Sequence, residues 1–167
     1  GDLDSIVEAL QQQGVEAVAI CFLNSYQSDE NELRAAEYIA KRLPNVHVTL
    51  SSTNPEFREY PRFITAVFNA SISPMIKEYV RGLGAALKES GYRGEVQYMT
   101  SSGGLITEEF VIAEPLRLLL GGVAGGVTAS AFMAERIGAP NVATFDMGGT
   151  SSDVGFVKDF KTHVAPS

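Results

Sequence analysis

Between Val142 and Val157 the chain reads Val-Ala-Thr-Phe, then Asp-Met-Gly-Gly-Thr-Ser-Ser-Asp, then Val-Gly-Phe-Val. Two short runs rich in β-branched and aromatic residues, separated by paired glycines, predict two antiparallel strands joined by a tight turn. The chemistry of that turn narrows its use. Gly148 and Gly149 have access to positive φ and carry no side chains, so several backbone N–H groups can converge on one anion. Thr150, Ser151 and Ser152 add hydroxyl donors. Asp146 and Asp153 bracket the tip, and carboxylates repel phosphate unless a divalent cation lies between or a water needs orienting. Mg²⁺ with a nucleotide meets both conditions. An ordinary glycine hairpin with solvated acids is the alternative, but it requires neither the acid pair nor the hydroxyl cluster.

Upstream, helical and extended patterns alternate. Leu3, Ile6, Val7 and Leu10 recur at helical spacing behind Asp2, and Gly14 supplies a stop. The apolar run from Ala17 to Leu23 suits a strand covered on both faces. Ser28 then caps a helix whose stripe is Leu33, Ala36, Ile39, Ala40 and Leu43, ending at Pro44-Asn45. Further strands are expected near 46 to 51, 95 to 100 and 142 to 146, the last pairing antiparallel with 154 to 157. Short links between these elements predict an α/β fold with a partly parallel sheet and flanking helices.

A long helical region follows Asn54-Pro55, with Phe63, Ala66, Val67 and Ala70 on one face and Ile76, Val80, Leu83 and Leu87 beyond Pro74. A proline there should break or kink it. Two glycine-bearing stretches attract attention. The loop Thr100 to Gly104 follows a strand, where ligands bind in open parallel sheets, or it is a plain turn before a helix near Thr107 to Ile112. The run Gly121 to Gly126 opens a helix reaching Gly138, and its spacing favours tight packing slightly over ligand contact. It is neither a dinucleotide-binding fingerprint nor a Walker A loop. No internal repeat, low-complexity tract or interdomain linker stands out.

Composition excludes several functions. With a net charge of −7 and 13 scattered basic residues, the chain offers no nucleic-acid surface. It has no apolar run of membrane-spanning length and no basic leader, which predicts a cytoplasmic protein. Cys21 is the single cysteine and reads as a small buried residue rather than a catalytic thiol. His47 and His163 lie in no metal-ligand spacing, so any metal would be a hard ion on carboxylates and phosphates.

The stretch Phe-Asp-Met-Gly-Gly-Thr-Ser-Ser-Asp-Val, residues 145 to 154, closely resembles the second phosphate motif of the hydantoinase A/5-oxoprolinase family, which includes N-methylhydantoinases and acetone carboxylase-like proteins. Residues Gly14 to Tyr26, Glu56 to Tyr60, Asn69-Ala70 with Pro74, and Ser102 to Leu105 resemble further stretches of that family. One departure is the run Gly121 to Gly126, which lacks the serine and proline of the family's corresponding segment.

The resemblance implies an actin, sugar kinase and Hsp70-like ATPase fold, with 1–140 an α/β segment of the first hydantoinase/oxoprolinase region and 141–167 the start of the second ATPase subdomain. It implies an ATP-dependent hydrolase that phosphorylates the carbonyl oxygen of a cyclic amide, of hydantoin or 5-oxoproline type, for attack by water. ATP and Mg²⁺ would be its cofactors and a hydantoinase B-type subunit its partner. Asp146 and Asp153 would be the catalytic and metal-holding residues, and Gly148, Gly149, Thr150 and Ser151 the phosphate cradle. An ATP-dependent carboxylase subunit, a small-molecule kinase and a non-catalytic nucleotide-binding protein are the rival readings. Arg58 and Glu59, between Phe57 and Tyr60, form a second candidate group without an assigned role. The family's first phosphate hairpin has no counterpart here, so the chain is expected to be an internal fragment that is inactive alone.

Overall fold

A computed structural model describes residues 2–54 and 56–162. His163 therefore lies outside the described residues. The chain forms two compact units, 1–83 and 84–167.

In the first unit, α1 (Asp2–Gln13), β1 (Ala17–Ile20), α2 (Glu30–Arg42) and β2 (His47–Leu50) precede the long helix α3 (Glu59–Glu89), within which the division between units falls. Gly14 ends α1 as expected. Its φ of +62° is a left-handed conformation, and the N–H of Val15 donates to the Leu10 carbonyl. Strands β1 and β2 pair in parallel, Ala17 opposite His47 and Ile20 opposite Leu50. Val7, Ile20, Ala35, Ile39 and Leu43 form the core, with Val18, Val48 and Leu50 packed against it.

The stripe expected on α2 is rotated. Leu33 and Ala40 are exposed, whereas Glu32, Ala35, Ile39 and Leu43 face inward. Asp29 rather than Ser28 stands at the N-cap. A wholly buried glutamate is tolerable only because protein donors replace its water, as described below.

Helix α3 is not broken at Pro74. The Ser73 hydroxyl donates to the Asn69 carbonyl at 2.6 Å, a side-chain bond beside the backbone bond that proline forgoes. Pro61 lies in the first turn, where its missing N–H is no loss.

The second unit holds β3 (Gln97–Met99), β4 (Leu105–Thr107), α4 (Glu108–Ala113), α5 (Gly121–Ile137), β5 (Val142–Met147), β6 (Ser152–Lys158) and β7 (Lys161–Thr162). Strands β3 and β4 form an antiparallel hairpin, and β5, β6 and β7 an antiparallel sheet. The fold is mixed α/β, with its parallel pairing confined to β1 and β2 among the described residues. Strand β4 was not foreseen, and it changes the setting of Thr100 to Gly104. That loop is the turn of an antiparallel hairpin, not the carboxyl end of a parallel strand. Its order comes from Thr100, whose N–H donates to the Gly104 carbonyl at 2.8 Å while its hydroxyl accepts from the Gly104 N–H at 3.1 Å.

Among the described residues no helix is long and apolar enough to cross a membrane.

Candidate functional site

Strands β5 and β6 place the two acids face to face. Asp146 is the register partner of Asp153, and Met147 and Ser152 close the ladder one step nearer the tip. Directly paired residues of an antiparallel ladder point to the same face, and like charges there repel. The turn 148 to 151 is held by the Gly148 N–H donating to the Ser151 carbonyl at 3.0 Å.

Gly148 and Gly149 do not use the positive φ open to them. Their absent side chains matter in another way: a Cβ on Gly149 would meet nothing within 4 Å, and one on Gly148 would meet only the Ser151 carbonyl oxygen at 3.8 Å. The N–H groups of Gly149, Thr150 and Ser151 donate to no acceptor among the described residues. Open backbone donors beside paired carboxylates fit a nucleotide phosphate with a water-rich Mg²⁺, which takes one or two carboxylates and completes its shell with phosphate and water. A fuller protein cage is missing, since no three described His, Cys, Asp or Glu residues cluster as metal ligands.

Helix α5 packs on the β5–β6 hairpin. Val142, at the start of β5, borders a shallow cavity with Ala134 and Ile137, near the end of the helix. Midway along, a Cβ on Gly155 would lie 2.2 Å from Val127 Cγ2, so only glycine admits this approach. The start of α5, at Leu120, Val123 and Ala124, borders Val154, Gly155 and Phe156 of β6 and Thr162 of β7. Ser101, Ser102 and Gly103 share with Val123, Val127, Thr128 and Gly155 a cleft of about 370 Å³. The turn 100 to 104 and the run 121 to 126 therefore belong to one neighbourhood with β6, although the tip residues themselves do not line the cleft.

Within the run, roles divide by position. A Cβ on Gly121 would come within 2.2 Å of the Met99 carbonyl oxygen, which makes it a packing glycine. Gly122 and Gly126 face open space. Leu120, the N-cap, has a φ of +60°, a conformation that costs a residue with a side chain about 1 kcal/mol or more.

The first unit carries a polar cluster that the sequence did not suggest. Glu32 and Arg62 are both wholly buried. The Glu32 carboxylate accepts from the Phe22 N–H at 2.9 Å, the Ser52 N–H at 2.8 Å and the Ser51 hydroxyl at 2.5 Å. It thus ties together the segments that leave β1 and β2. Arg62 donates through Nη1 to the Glu56 and Phe57 carbonyls and through Nη2 to the Phe22 carbonyl and Glu59 Oε1. Burial opposes ionisation of Glu32, but the bonds from Ser51, Phe22 and Ser52 prevail and hold its carboxyl below the usual range.

Arg58 and Glu59 do not pair with each other. Arg58 is exposed and bonds Glu56, whereas Glu59 bonds Arg62 and accepts from the Asn24 N–H at 2.8 Å. Cys21 is half-buried, and burial, reinforced by the Glu32 charge, pushes its thiol up. A neutral thiol is a poor nucleophile, in keeping with the bland reading of this residue.

Two family models match the chain: hydantoinase/oxoprolinase over residues 62–167 and the hydantoinase/oxoprolinase N-terminal region over 1–43. The chain belongs to the hydantoinase/oxoprolinase family.

Relatives in this family differ in reaction. The caprolactamase subunit alpha of Pseudomonas jessenii is 32% identical over 96% of this chain and 23% of its own length. The 5-oxoprolinase of Saccharomyces cerevisiae is 35% identical over 90% of this chain and 12% of its own. A nucleotide-free structure of acetone carboxylase, described as acting in ATP-dependent acetone carboxylation, superposes with a TM-score of 0.84 at 25% identity, covering 95% of this chain and 23% of that one. The hydantoinase/oxoprolinase chain described here thus spans less than a quarter of the length of these relatives. Part of the family likeness, Glu56 to Tyr60, has a structural explanation: two of its carbonyls and one carboxylate are ligands of the buried Arg62 guanidinium.

Proposed function

We propose that this chain is part of an ATP-dependent enzyme that opens a cyclic amide of hydantoin or 5-oxoproline type, and that the turn between β5 and β6 binds the nucleotide's phosphates. The observation that carries this reading is the register pairing of Asp146 with Asp153 beneath an open Gly148-Gly149 tip. ATP supplies a phosphoryl group to the amide carbonyl oxygen, which makes the carbonyl carbon susceptible to water. The chain's own task is positioning and charge neutralisation. Backbone N–H groups of Gly149, Thr150 and Ser151 and the hydroxyls of Thr150 and Ser151 bind phosphate oxygens. Asp146 and Asp153 hold Mg²⁺ or orient the attacking water. In this reading residues 141–167 begin the second ATPase subdomain, the enzyme is cytoplasmic, and a hydantoinase B-type subunit completes it.

A second reading, an ATP-dependent carboxylase subunit, is favoured by the likeness to acetone carboxylase. Product analysis on the full-length parent with its partner subunit separates the two. Ring-opened acid formed with ADP supports the hydrolase. A carboxylated ketone replaces it with the carboxylase, and a phosphorylated product with neither would sink both.

A further inference from the structure

In the first unit, His47, Lys77 and Arg81 line a surface groove of about 850 Å³. Lys77 Nζ lies 2.7 Å from His47 Nδ1. A protonated amine can only donate, so Nδ1 accepts, and the ring proton resides on Nε2, 3.1 Å from Thr49 Oγ1. His47 thereby stays neutral and fixes the position of the Lys77 head group.

Lys77 and Arg81 are four residues apart on α3 and so project from one side of the helix. Among the described residues neither has a carboxylate within ion-pair distance. Glu16 and Glu78 border the same groove without reaching them. Burial, with Arg81 adding to it, holds the Lys77 ammonium below the ordinary lysine range, and burial together with Lys77 lowers His47. Arg62, the other sequestered cation of this unit, has a carboxylate partner and four further acceptors or contacts through its three nitrogens. Among the described residues Lys77 and Arg81 lack any such counter-charge.

We propose that this groove binds a small oxyanion, a phosphate or carboxylate group, between Lys77 and Arg81, with His47 as a positioning residue behind Lys77. Arg81 offers a planar fork suited to two oxygens, and Lys77 a point charge. A bound anion removes the like-charge repulsion between them. The site is independent of the β5–β6 turn and of the reaction proposed for it.

Competitive acylation tests the proposal on the native protein. The rate at which a limiting small acylating reagent modifies Lys77 is read by mass spectrometry against Lys41 and Lys88, in chloride, inorganic phosphate or acetate at matched ionic strength. Modification of Lys77 alone should slow, by about threefold at an anion concentration twice the dissociation constant. Protection by phosphate only assigns a phosphate site, and protection by acetate as well assigns a general oxyanion site. Arg81 is exposed, so Arg81→Gln should keep the thermal midpoint and lose the protection, while Arg81→Lys should regain part of it. A Lys77 rate indifferent to both anions, or protection that persists in Arg81→Gln, overturns the proposal.

Discussion

The Ser51 hydroxyl joins Glu32 to Arg62, donating to Glu32 Oε1 at 2.5 Å and accepting from Arg62 Nε at 3.3 Å. Its single proton is committed to the carboxylate, so the Ser25 hydroxyl, 3.0 Å away, must be the donor in their contact. Two opposite charges are thus buried without touching, and each is satisfied by backbone groups of neighbouring loops. Removing Arg62 strands the Glu56, Phe57 and Phe22 carbonyls and the Glu59 carboxylate that accept from it. Arg62→Met is expected to destabilise by about 3 kcal/mol or more, because several buried acceptors lose a charged donor at once. Glu32→Gln, which sets an amide against three donors, should cost about 1–3 kcal/mol. Urea unfolding of the variants checks both, and an Arg62→Met loss no larger than that of an exposed arginine such as Arg58 would refute the view of Arg62 as a hub.

Acid should expose the same cluster. Glu32 has a folded pKa below its ordinary value of 4.5, so the unfolded state binds the proton first as pH falls. Its stabilising contribution is complete above about pH 4.5 and is lost as pH drops toward the folded value. His47, lowered from 6.5, contributes in the same sense from about pH 6.5 downward. The stability gap between the native sequence and Glu32→Gln should therefore narrow below pH 4.5, and the gap to His47→Gln should narrow below pH 6.5. Unfolding midpoints across pH 3 to 8 provide the measurement, and gaps that stay constant with pH would contradict both assignments.

The glycines of α5 should separate by position. Gly121→Ala forces a methyl against the Met99 carbonyl and should destabilise by about 1–3 kcal/mol. Gly122→Ala meets nothing and should stabilise by up to about 1 kcal/mol through helix propensity. Thermal midpoints read both. If Gly122→Ala raises the midpoint but abolishes turnover in the full-length enzyme, Gly122 contacts ligand. Unchanged turnover would leave the run as packing alone.

Asp146→Asn should abolish ATP-dependent turnover in the full-length protein. Its effect on stability should be small and favourable, a few tenths of a kcal/mol to about 1, because it relieves repulsion from Asp153 across the ladder. Steady-state kinetics and the thermal midpoint, taken on the same preparation, form the check. Near-normal turnover would reduce Asp146 to a turn-flanking residue.

Local patterns carried the elements that depend on neighbours in sequence. The Gly14 and Gly138 stops, the parallel segments near 17 and 47, and the hairpin from Val142 to Val157 were all legible, because periodicity, β-propensity and glycine conformational freedom act within a few residues. The acid pair and the glycine tip were legible for the same reason. Hydropathy pattern misassigned the inward face of α2, since a glutamate scores as solvent-exposed wherever it occurs. Its spacing from Ala35, Ile39 and Leu43 was the available signal.

Only tertiary structure decided that Glu32 goes inside. Its three donors come from residues 10 to 20 positions away, and no local rule can supply the compensation that makes a buried charge tolerable. The same holds for Arg62, whose acceptors lie both beside it and 40 positions upstream. Tertiary packing likewise turned Thr100 to Gly104 into a hairpin turn and separated Gly121 from Gly122, because what a glycine does depends on which backbone approaches it. Sequence determined most of the helices and strands; long-range contacts decided the β3–β4 hairpin and which polar groups are buried.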